Sequence, residues 1–202
     1  MQCFSKHGFS ASTTREIAHV AGVNEVSLFR NFPSKQDLFW ASLQSRLDQL
    51  RLPKGLQEHL SEGSKPELVV PIIAELLVKI ATDQPELIQL MFVGLRELRP
   101  NTERAYQEYV APLLKSINSY VECCVANGEM RNVDPTMATV AFITSILTHR
   151  SLYPLLSNLG VPHENTQEAV SAYSNFWLDA LVPPAIVRGN PLGNPEDTSC
   201  CI

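Results

Sequence analysis

The side chains best suited to specific chemistry lie close together, in residues 25–31. They combine a carboxylate, a hydroxyl, a guanidinium and an amide with two apolar groups, and they are Glu25, Val26, Ser27, Phe29, Arg30 and Asn31. Such groups form hydrogen bonds and apolar contacts. The segment therefore indicates binding.

Motifs that mark catalytic centres are not found in the sequence. It contains no glycine-rich phosphate loop, no Gly-x-Ser-x-Gly turn and no His-Glu-x-x-His pair. Cys123 and Cys124 are adjacent thiols, but neighbouring residues of a helix point about 100° apart and no histidine is close in sequence. The sequence predicts a protein that is not an enzyme and uses no metal or cofactor, with redox or metal sensing by these thiols as an alternative.

A pair of short helices would present the cluster at residues 25–31. The spacing predicts helices over residues 14–21 and 25–32. A steep helix crossing needs a small residue at the contact, which is Ala18, and the turn needs a residue free to adopt positive φ, which is Gly22. The apolar side chains predicted to bury this crossing are Ile17, Ala21, Val23, Leu28 and Phe32. The pattern is that of a helix-turn-helix.

Helical spacing of apolar residues continues along the chain, and strand signals are nearly absent. A helix is predicted over residues 35–50, with an apolar face of Leu38, Phe39, Leu43, Leu47 and Leu50. Further helices are predicted over residues 64–82, 86–99, 102–127, 135–156 and 165–182, and Pro112 is expected to kink the third of these. The residues predicted to cap helices are Thr13, Ser34, Ser64, Asp83 and Asp134.

These elements predict a division of the chain into two domains. Residues 1–50 would form the helix-turn-helix domain, and residues 51–65 a connector. Residues 66–184 would form a helical ligand-binding and dimerisation domain. Residues 185–202 are rich in Gly, Pro, Asn and Asp and are predicted to be a disordered tail; the role of its Cys200 and Cys201 is left open.

Charge and composition narrow the class of protein. The net charge is −5, but residues 1–54 carry +3 and residues 55–202 carry −8. A basic head on an acidic body is typical of a protein that contacts phosphates with one end, although chance segregation explains it equally well. The sequence has no signal peptide, no apolar run of membrane-spanning length and no spaced cysteine framework. We therefore expect a cytoplasmic protein without a membrane partner.

The stretch GFSASTTREIAHVAGVNEVSLFRNFPSKQDL, residues 8–38, resembles the amino-terminal domain of the TetR/AcrR family of transcriptional regulators. A looser likeness is GEMRNVDP, residues 128–135, which resembles the turn before the penultimate helix of many members. The resemblance implies an all-α fold. An amino-terminal, homeodomain-like three-helix domain with a helix-turn-helix would precede a carboxy-terminal helical bundle of the TetR regulator type.

The resemblance also implies DNA-binding roles for single residues. Thr14 and Arg15 would reach a phosphate and a base edge, and Ser27 and Phe29 would meet the major groove. The residues expected to anchor backbone phosphates are Asn31 and Lys35. Two positions depart from the family pattern, which more often has Tyr at the position of Phe29 and His or Tyr at that of Asn31.

The start of the chain departs further from the family pattern. The first helix of family members is about two turns longer than residues 1–7 allow, which favours a native start upstream of Met1. The alternative is a ligand-binding helical dimer that has lost DNA binding through this short helix.

Aromatic, methionine and histidine side chains of the later helices are candidates for an effector pocket. In the family, residues of this kind line a cavity that admits a small, usually apolar molecule. The candidates are Met91, Phe92, Tyr106, Tyr109, Phe142, His149 and Tyr153. Ordinary core packing is the alternative for each of them, and an interface ion pair is an alternative for His149 with Arg150.

The last two predicted helices resemble the dimer contact of the family. The residues predicted to form a four-helix interface with a second copy are Val140, Ile143, Ile146, Leu147, Val170, Tyr173, Phe176, Trp177 and Leu181. A homodimer would present two recognition helices about 34 Å apart, or a small multiple of that distance, to a palindromic double-stranded operator. The hypothesis is a repressor that a small-molecule effector releases by changing the distance between the two heads.

Overall fold

Every regular element in the described part of the chain is a helix, as the sequence predicts. The computed structural model describes residues 2–48, 53, 55–98, 103–160 and 165–184. The α-helices are α1 (Gln2–Ala11), α2 (Thr14–Val20), α3 (Glu25–Asn31), α4 (Lys35–Leu47), α5 (Leu56–Ser61), α6 (Pro66–Asp83), α7 (Pro85–Glu97), α8 (Ala111–Ala126), α9 (Pro135–Leu156) and α10 (Thr166–Leu181). None of these helices is both long and apolar enough to cross a membrane. Leu50 and the predicted tail at residues 185–202, with its two cysteines, lie outside the described residues.

Polar side chains begin several helices where the sequence predicts them. Thr13 accepts the Glu16 amide, Ser34 accepts the Asp37 amide, and the Asp134 carboxylate accepts the Met137 amide at 2.6 Å. Each satisfies a backbone N–H that the first helical turn leaves without an intrahelical partner. These three predicted caps are confirmed.

Two other predicted caps are wrong. Gln84, not Asp83, stands at the cap position of α7, and no side chain caps that helix. Pro85 follows it in the first turn and needs no N–H partner, so the first turn of α7 has one orphan donor fewer. Ser64 lies two residues before the start of α6 at Pro66, so it is not at the cap position. Its hydroxyl lies 3.0 Å from Nδ1 of His59 and so connects α5 to the segment before α6.

The predicted connector at residues 51–65 contains a helix. Leu56 and Leu60 of α5 lie one helical turn apart and are buried, and α5 packs against α6. The prediction of a connector did not include this helix, in which an apolar pair at i and i+4 lies on one face.

A π-helical turn lies upstream of Pro112, which is the second residue of α8, and the predicted kink at Pro112 stays a prediction. Residues Tyr106–Val110 form that turn directly before α8, and the amide of Ala111 bonds to the carbonyl of Tyr106. Proline has no N–H for the carbonyl four residues earlier. The wider hydrogen-bond pattern places the irregular turn immediately upstream of the proline.

The chain forms two compact units, which we call the head unit and the body unit. The head unit contains residues 1–51 and 84–111, and the body unit contains residues 52–83 and 112–202. The predicted boundary at residues 51–65 therefore marks only one of the places where the chain passes between units. The helix α7, which the sequence places in the sensing domain, belongs to the head unit.

Apolar side chains from α1, α2, α3, α4 and α7 form the core of the head unit. Phe4 and Phe39 are completely buried, and their rings meet edge to face with centroids 5.3 Å apart. Leu87 and Leu90 of α7 join this cluster. An apolar face on α7 is thus what completes the helix-turn-helix domain, because α7 packs against both α1 and α4.

The body unit is built around α6. This helix packs against α5, α9 and α10, and its buried residues include Val69, Ile73 and Val78. A helix with neighbours on several sides must be apolar on more than one face, which explains its hydrophobic sequence. Phe142 of α9 and Trp177 of α10 meet edge to face in the same core, with ring centroids 5.2 Å apart.

Candidate nucleic-acid interface

The corner between α2 and α3 has the geometry that the sequence predicts. Ala18 is 3% exposed, and its carbonyl accepts the amide of Val23 at 3.0 Å, which closes the turn. Gly22 adopts φ 69°, in the left-handed region that glycine enters without a steric penalty. Ile17 and Leu28 are buried beneath the crossing. The two helices are thereby fixed as a helix-turn-helix.

We expect Gly22→Ala to lower the free energy of unfolding by about 1 kcal/mol, because alanine is strained at a positive φ. A β-carbon at Gly22 would have no atom within 4 Å, so the cost is backbone strain and not a clash. Urea denaturation followed by circular dichroism measures it. Gly22→Asn is the control, since asparagine tolerates this conformation better, and an equal loss in both variants would contradict the explanation.

Two residues predicted to point inward do not. Ala21 is exposed and Val23 is 45% exposed, and both line a groove of about 580 Å³ in the head unit. Cys3, Ile17 and Leu38 also line this groove. The crossing closes around Ala18 and leaves the outer side of the turn uncovered by other described residues of the head unit, so the prediction for these two side chains is wrong.

The outward face of α3 presents the side chains that the sequence predicts. Val26 is 79% exposed and Phe29 is 42% exposed. Arg30 and Asn31 are exposed, and Ser27 is half-buried. The Asn31 amide donates to the carbonyl of Ser27 at 3.0 Å, which holds it along the helix. The face combines apolar contact groups with hydrogen-bonding groups at one surface.

Thr14 and Glu25 connect the starts of α2 and α3. The hydroxyl of Thr14 donates to Oε1 of Glu25 at 2.7 Å. The only proton of this hydroxyl is then directed at a carboxylate, whereas the resemblance implied a contact with a phosphate. Arg15, the next residue, is exposed. Its guanidinium can extend toward a ligand of this surface.

Lys35 is more strongly held than a surface lysine. Its ammonium lies 3.0 Å from the carbonyl of Ser12, 3.4 Å from the carbonyl of Ser10 and 4.5 Å from the ring centroid of Phe9. An ammonium has three protons, so two contacts with carbonyls leave one for a further acceptor. Lys35 therefore fixes the segment between α1 and α2, and its predicted phosphate contact stays a prediction.

Glu97 holds the same segment from α7, and nothing in the sequence analysis singled it out. Its carboxylate accepts the Ser10 amide at 2.7 Å and the Ser10 hydroxyl at 2.6 Å. These bonds, with Arg96 at 3.0 Å, lower the pKa of Glu97 to about 2. Gly8, at φ 80°, bends the chain so that Ser10 meets the carboxylate, and a β-carbon there would lie 3.1 Å from Oε1 of Glu97. The partners are 87 residues apart, and no local pattern connects them.

The candidate pocket residues are divided between the two units. Met91, Phe92, Tyr106 and Tyr109 belong to the head unit, where Phe92 is 59% exposed. The body unit contains the other three, Phe142, His149 and Tyr153. Phe142 is buried and lines a small cavity of about 20 Å³ beside Thr139 and Trp177. His149 hydrogen-bonds to the hydroxyl of Tyr173, so its ring is oriented by α10.

The predicted dimer surface needs one correction. Ile146 is completely buried in the core of the body unit and cannot lie on an intermolecular surface. Val140 and Phe176 are 44% and 67% exposed. The remaining predicted residues are partly buried against the core, and they are Ile143, Leu147, Val170, Tyr173, Trp177 and Leu181.

Three further exposed apolar side chains of α9 were not predicted. Met137, Leu152 and Leu155 are 68%, 46% and 62% exposed, and helical spacing places them on the same side as Val140, with the exposed Thr144 and Thr148 between the two pairs. Met137 and Val140 are three residues apart, as are Leu152 and Leu155, and this spacing is the sequence signal for one face of a helix. It was obscured because α9 is apolar on its inner face as well.

Chemistry at the adjacent thiols is restricted by burial. Cys124 is 1% exposed, and burial raises the pKa of its thiol to about 12. The thiolate, which is the reactive and metal-binding form, is therefore scarce at neutral pH. Within the described ranges, no three His, Cys, Asp or Glu side chains are grouped so that they could hold a metal ion.

Known proteins resemble this chain most clearly at the head unit. Residues 1–41 match the family model described as bacterial regulatory proteins, tetR family. YvkB of Bacillus subtilis (strain 168), an HTH-type transcriptional regulator, is 51% identical over 43 residues, which are 21% of this chain and 23% of that protein. RutR of Escherichia coli (strain K12), also an HTH-type transcriptional regulator, is 24% identical over 136 residues, or 67% of this chain and 62% of RutR. The chain thus spans less than two thirds of either relative.

Solved structures share the fold over most of the chain. PfmR of Thermus thermophilus, a TetR family transcriptional regulator, superposes with a TM-score of 0.69 at 17% identity, over 89% of this chain and 94% of PfmR. AibR in complex with isovaleryl coenzyme A and operator DNA gives a TM-score of 0.67 at 14% identity, over 87% of this chain and 91% of AibR. The predicted fold, a helix-turn-helix domain with a helical bundle, is confirmed.

Proposed function

We propose that this chain is a TetR family regulator, because residues 1–41 match the model of that family and the fold is that of solved TetR regulators. In this proposal it is a cytoplasmic repressor that binds a palindromic operator as a homodimer and leaves it when a small molecule binds. The observation that carries this proposal is the corner at Ala18 and Gly22 with the outward face of α3 beyond it. A recognition helix held in this way enters the major groove with its first residues against base edges.

DNA binding by the head unit requires positively charged side chains around α3, and three such side chains are present. Arg15 and Arg30 are exposed on the two helices of the motif, and Lys35 has a proton left after its bonds to Ser10 and Ser12. Arginine can bond a guanine edge with two donors, whereas lysine neutralises a phosphate and releases counterions. We assign base reading to Arg15 and backbone anchoring to Lys35.

We expect Arg15→Ala to weaken operator binding by about 1–3 kcal/mol and to relax the preference for one base pair. Lys35→Ala should weaken binding to all sequences alike and reduce the salt slope by about one. Gel-shift titration at two salt concentrations separates the two results. Equal losses on operator and random DNA for Arg15→Ala would contradict its role as a base reader.

A homodimer would cover the exposed apolar residues of the body unit. Two exposed apolar pairs, Met137 with Val140 and Leu152 with Leu155, lie on one side of α9, and the next helix, α10, exposes Phe176. Apolar patches of this kind on a small protein mark interaction surfaces. A two-fold symmetric contact between identical surfaces would bury them and pair two recognition helices.

Release by a small molecule is supported by proteins of the same fold. AibR was solved with isovaleryl coenzyme A and operator DNA, and another structure of this fold is a gamma-butyrolactone receptor. An effector shifts the DNA-binding equilibrium only by the difference between its affinities for the two states. Fluorescence anisotropy of labelled operator with a broad ligand panel tests this, and the absence of any ligand-dependent release would reject the sensing claim.

Selection of bound sequences from a random duplex pool tests the central proposal. We expect a palindrome with two half-sites separated by a whole number of helical turns. Binding of full-length protein to DNA with no more preference than to heparin-like polyanions would overturn it. That result would favour a ligand-binding helical dimer that does not bind DNA.

A further inference from the structure

We propose that Glu25 and Val26 select a cytosine and a neighbouring thymine in each operator half-site: Glu25 accepts a hydrogen bond from the amino group of the cytosine, and Val26 contacts the methyl group of the thymine. This inference rests on the proposed function and deepens it, because it names the bases that the start of α3 would select.

The carboxylate of Glu25 is exposed but oriented. Glu25 is the first residue of α3, and its Oε1 accepts the Thr14 hydroxyl at 2.7 Å. This bond ties the side chain to the start of α2 and leaves Oε2 available. A carboxylate side chain has several rotamers in water, and one hydrogen bond from a neighbouring helix reduces that freedom before DNA arrives.

Charge decides what such a carboxylate can contact. An ionised carboxylate only accepts hydrogen bonds, and near a phosphate it would be repelled. The first residues of a recognition helix face base edges, and in the major groove cytosine presents its N4 amino donor. A thymine at the same position presents the O4 acceptor, which would face the carboxylate with like partial charge. Glu25 therefore favours a C·G over a T·A pair.

Val26 is suited to an apolar contact with DNA and not to a hydrogen bond. It is 79% exposed, which is more than any other large apolar side chain of the described residues, and it cannot hydrogen-bond through its side chain. Phe29, three residues later, is 42% exposed on the same side of α3. The apolar group that the major groove displays is the thymine C5-methyl. Val26 points about 100° away from Glu25 around α3, so we place its contact on a neighbouring base pair and not on the one that Glu25 reads.

The test uses full-length protein and its selected operator. Every base pair of one half-site is changed in turn, and each thymine is also replaced by deoxyuridine, which removes only the methyl group. Affinity is measured by fluorescence anisotropy at fixed salt. For the wild type, we expect one C·G→T·A change to cost about tenfold or more, and one neighbouring thymine-to-uracil change to cost about fourfold, the worth of one buried methyl group.

Three variants assign these effects to residues. Glu25→Gln should reduce the penalty at the C·G pair to under about threefold, because an amide can donate to thymine O4 as well as accept from cytosine. Val26→Ala should abolish the thymine-to-uracil effect. Glu16→Gln is the matched control, since it removes an acid of the same motif that lies 3.5 Å from His7, and it should leave both penalties unchanged.

Thr14→Val tests whether the hydrogen bond positions the carboxylate. We expect it to reduce the C·G preference and to leave the salt slope unchanged. An equal loss of affinity on all sequences, with a smaller salt slope, would show that Thr14 contacts a phosphate and would overturn its positioning role.

Two outcomes distinguish a failure of this inference from a failure of the proposed function on which it rests. If the wild type prefers one operator but Glu25→Gln alters no base preference, the inference is overturned and the regulator stands. If the wild type prefers no sequence at all, both fail.

Discussion

Phe176→Glu is expected to turn the protein into a monomer and to weaken operator binding about a hundredfold or more. Phe176 is 67% exposed in one chain, so the change should leave the fold intact. In a two-fold symmetric interface the substitution occurs twice and would bury two unpaired carboxylates close together. Two linked heads also bind far more tightly than one, by a factor of about 10²–10⁴, and a monomer loses that gain.

Sedimentation velocity and anisotropy with the selected operator measure the two effects. Leu68→Glu is the matched control, because Leu68 is an exposed leucine of α6, 48% accessible, outside the proposed interface. This substitution should change neither the mass of the sedimenting species nor the affinity for the operator. If Phe176→Glu sediments as a dimer with full affinity, the interface lies on another surface.

Glu97→Gln is expected to lower the free energy of unfolding of the head unit by about 2 kcal/mol, because it removes the charge from an acceptor of two short bonds. Both bonds end on the same oxygen, so the glutamine oxygen can still accept them, but without the charge that shortens both to under 2.8 Å. The substitution also leaves the segment between α1 and α2 held mainly by Lys35. We therefore expect weaker operator binding as well, even though Glu97 lies outside the helix-turn-helix.

The pH dependence of stability provides a second readout of the same bond. The pKa of Glu97 is about 2 in the folded protein, below the ordinary value of 4.5, so the unfolded chain binds the proton more readily. The stabilisation is present above about pH 4.5 and is lost as the pH falls toward 2. Wild type should lose stability over that interval more steeply than Glu97→Gln.

Urea denaturation at a series of pH values measures both effects. Glu86→Gln is the control on the same helix, because Glu86 pairs with Arg46 at 3.5 Å on a partly exposed surface, where such pairs contribute little. Equal stability losses in the two variants would contradict the special role of Glu97.

Local patterns made the helix-turn-helix predictable. The caps at Thr13 and Ser34, the small residue Ala18 and the turn at Gly22 are each set by neighbours within a few residues. Short-range hydrogen bonding and backbone sterics decide these features, so the sequence was sufficient for them. The helical fold class followed from the same kind of information.

Features that depend on distant partners were not predictable in the same way. Ile146 has the same apolar character as the exposed Val140, and only the packing of α6 decides that the first is core. Glu97 looks like any surface acid until Ser10 is placed beside it. The membership of α7 in the head unit depends on the same long-range contacts, since an apolar helix face does not say which neighbour it will bury against.

The head unit is built from two separate stretches of the chain, and this affects how the protein folds during its synthesis on the ribosome. A nascent chain that ends near residue 50 lacks Leu87, Leu90 and Glu97, which the first helices need for a closed core. The head unit can therefore fold fully only after the segment that carries α7 has emerged. A truncated fragment of the first 50 residues would expose apolar surface and would be a poor substitute for the intact protein in DNA-binding assays.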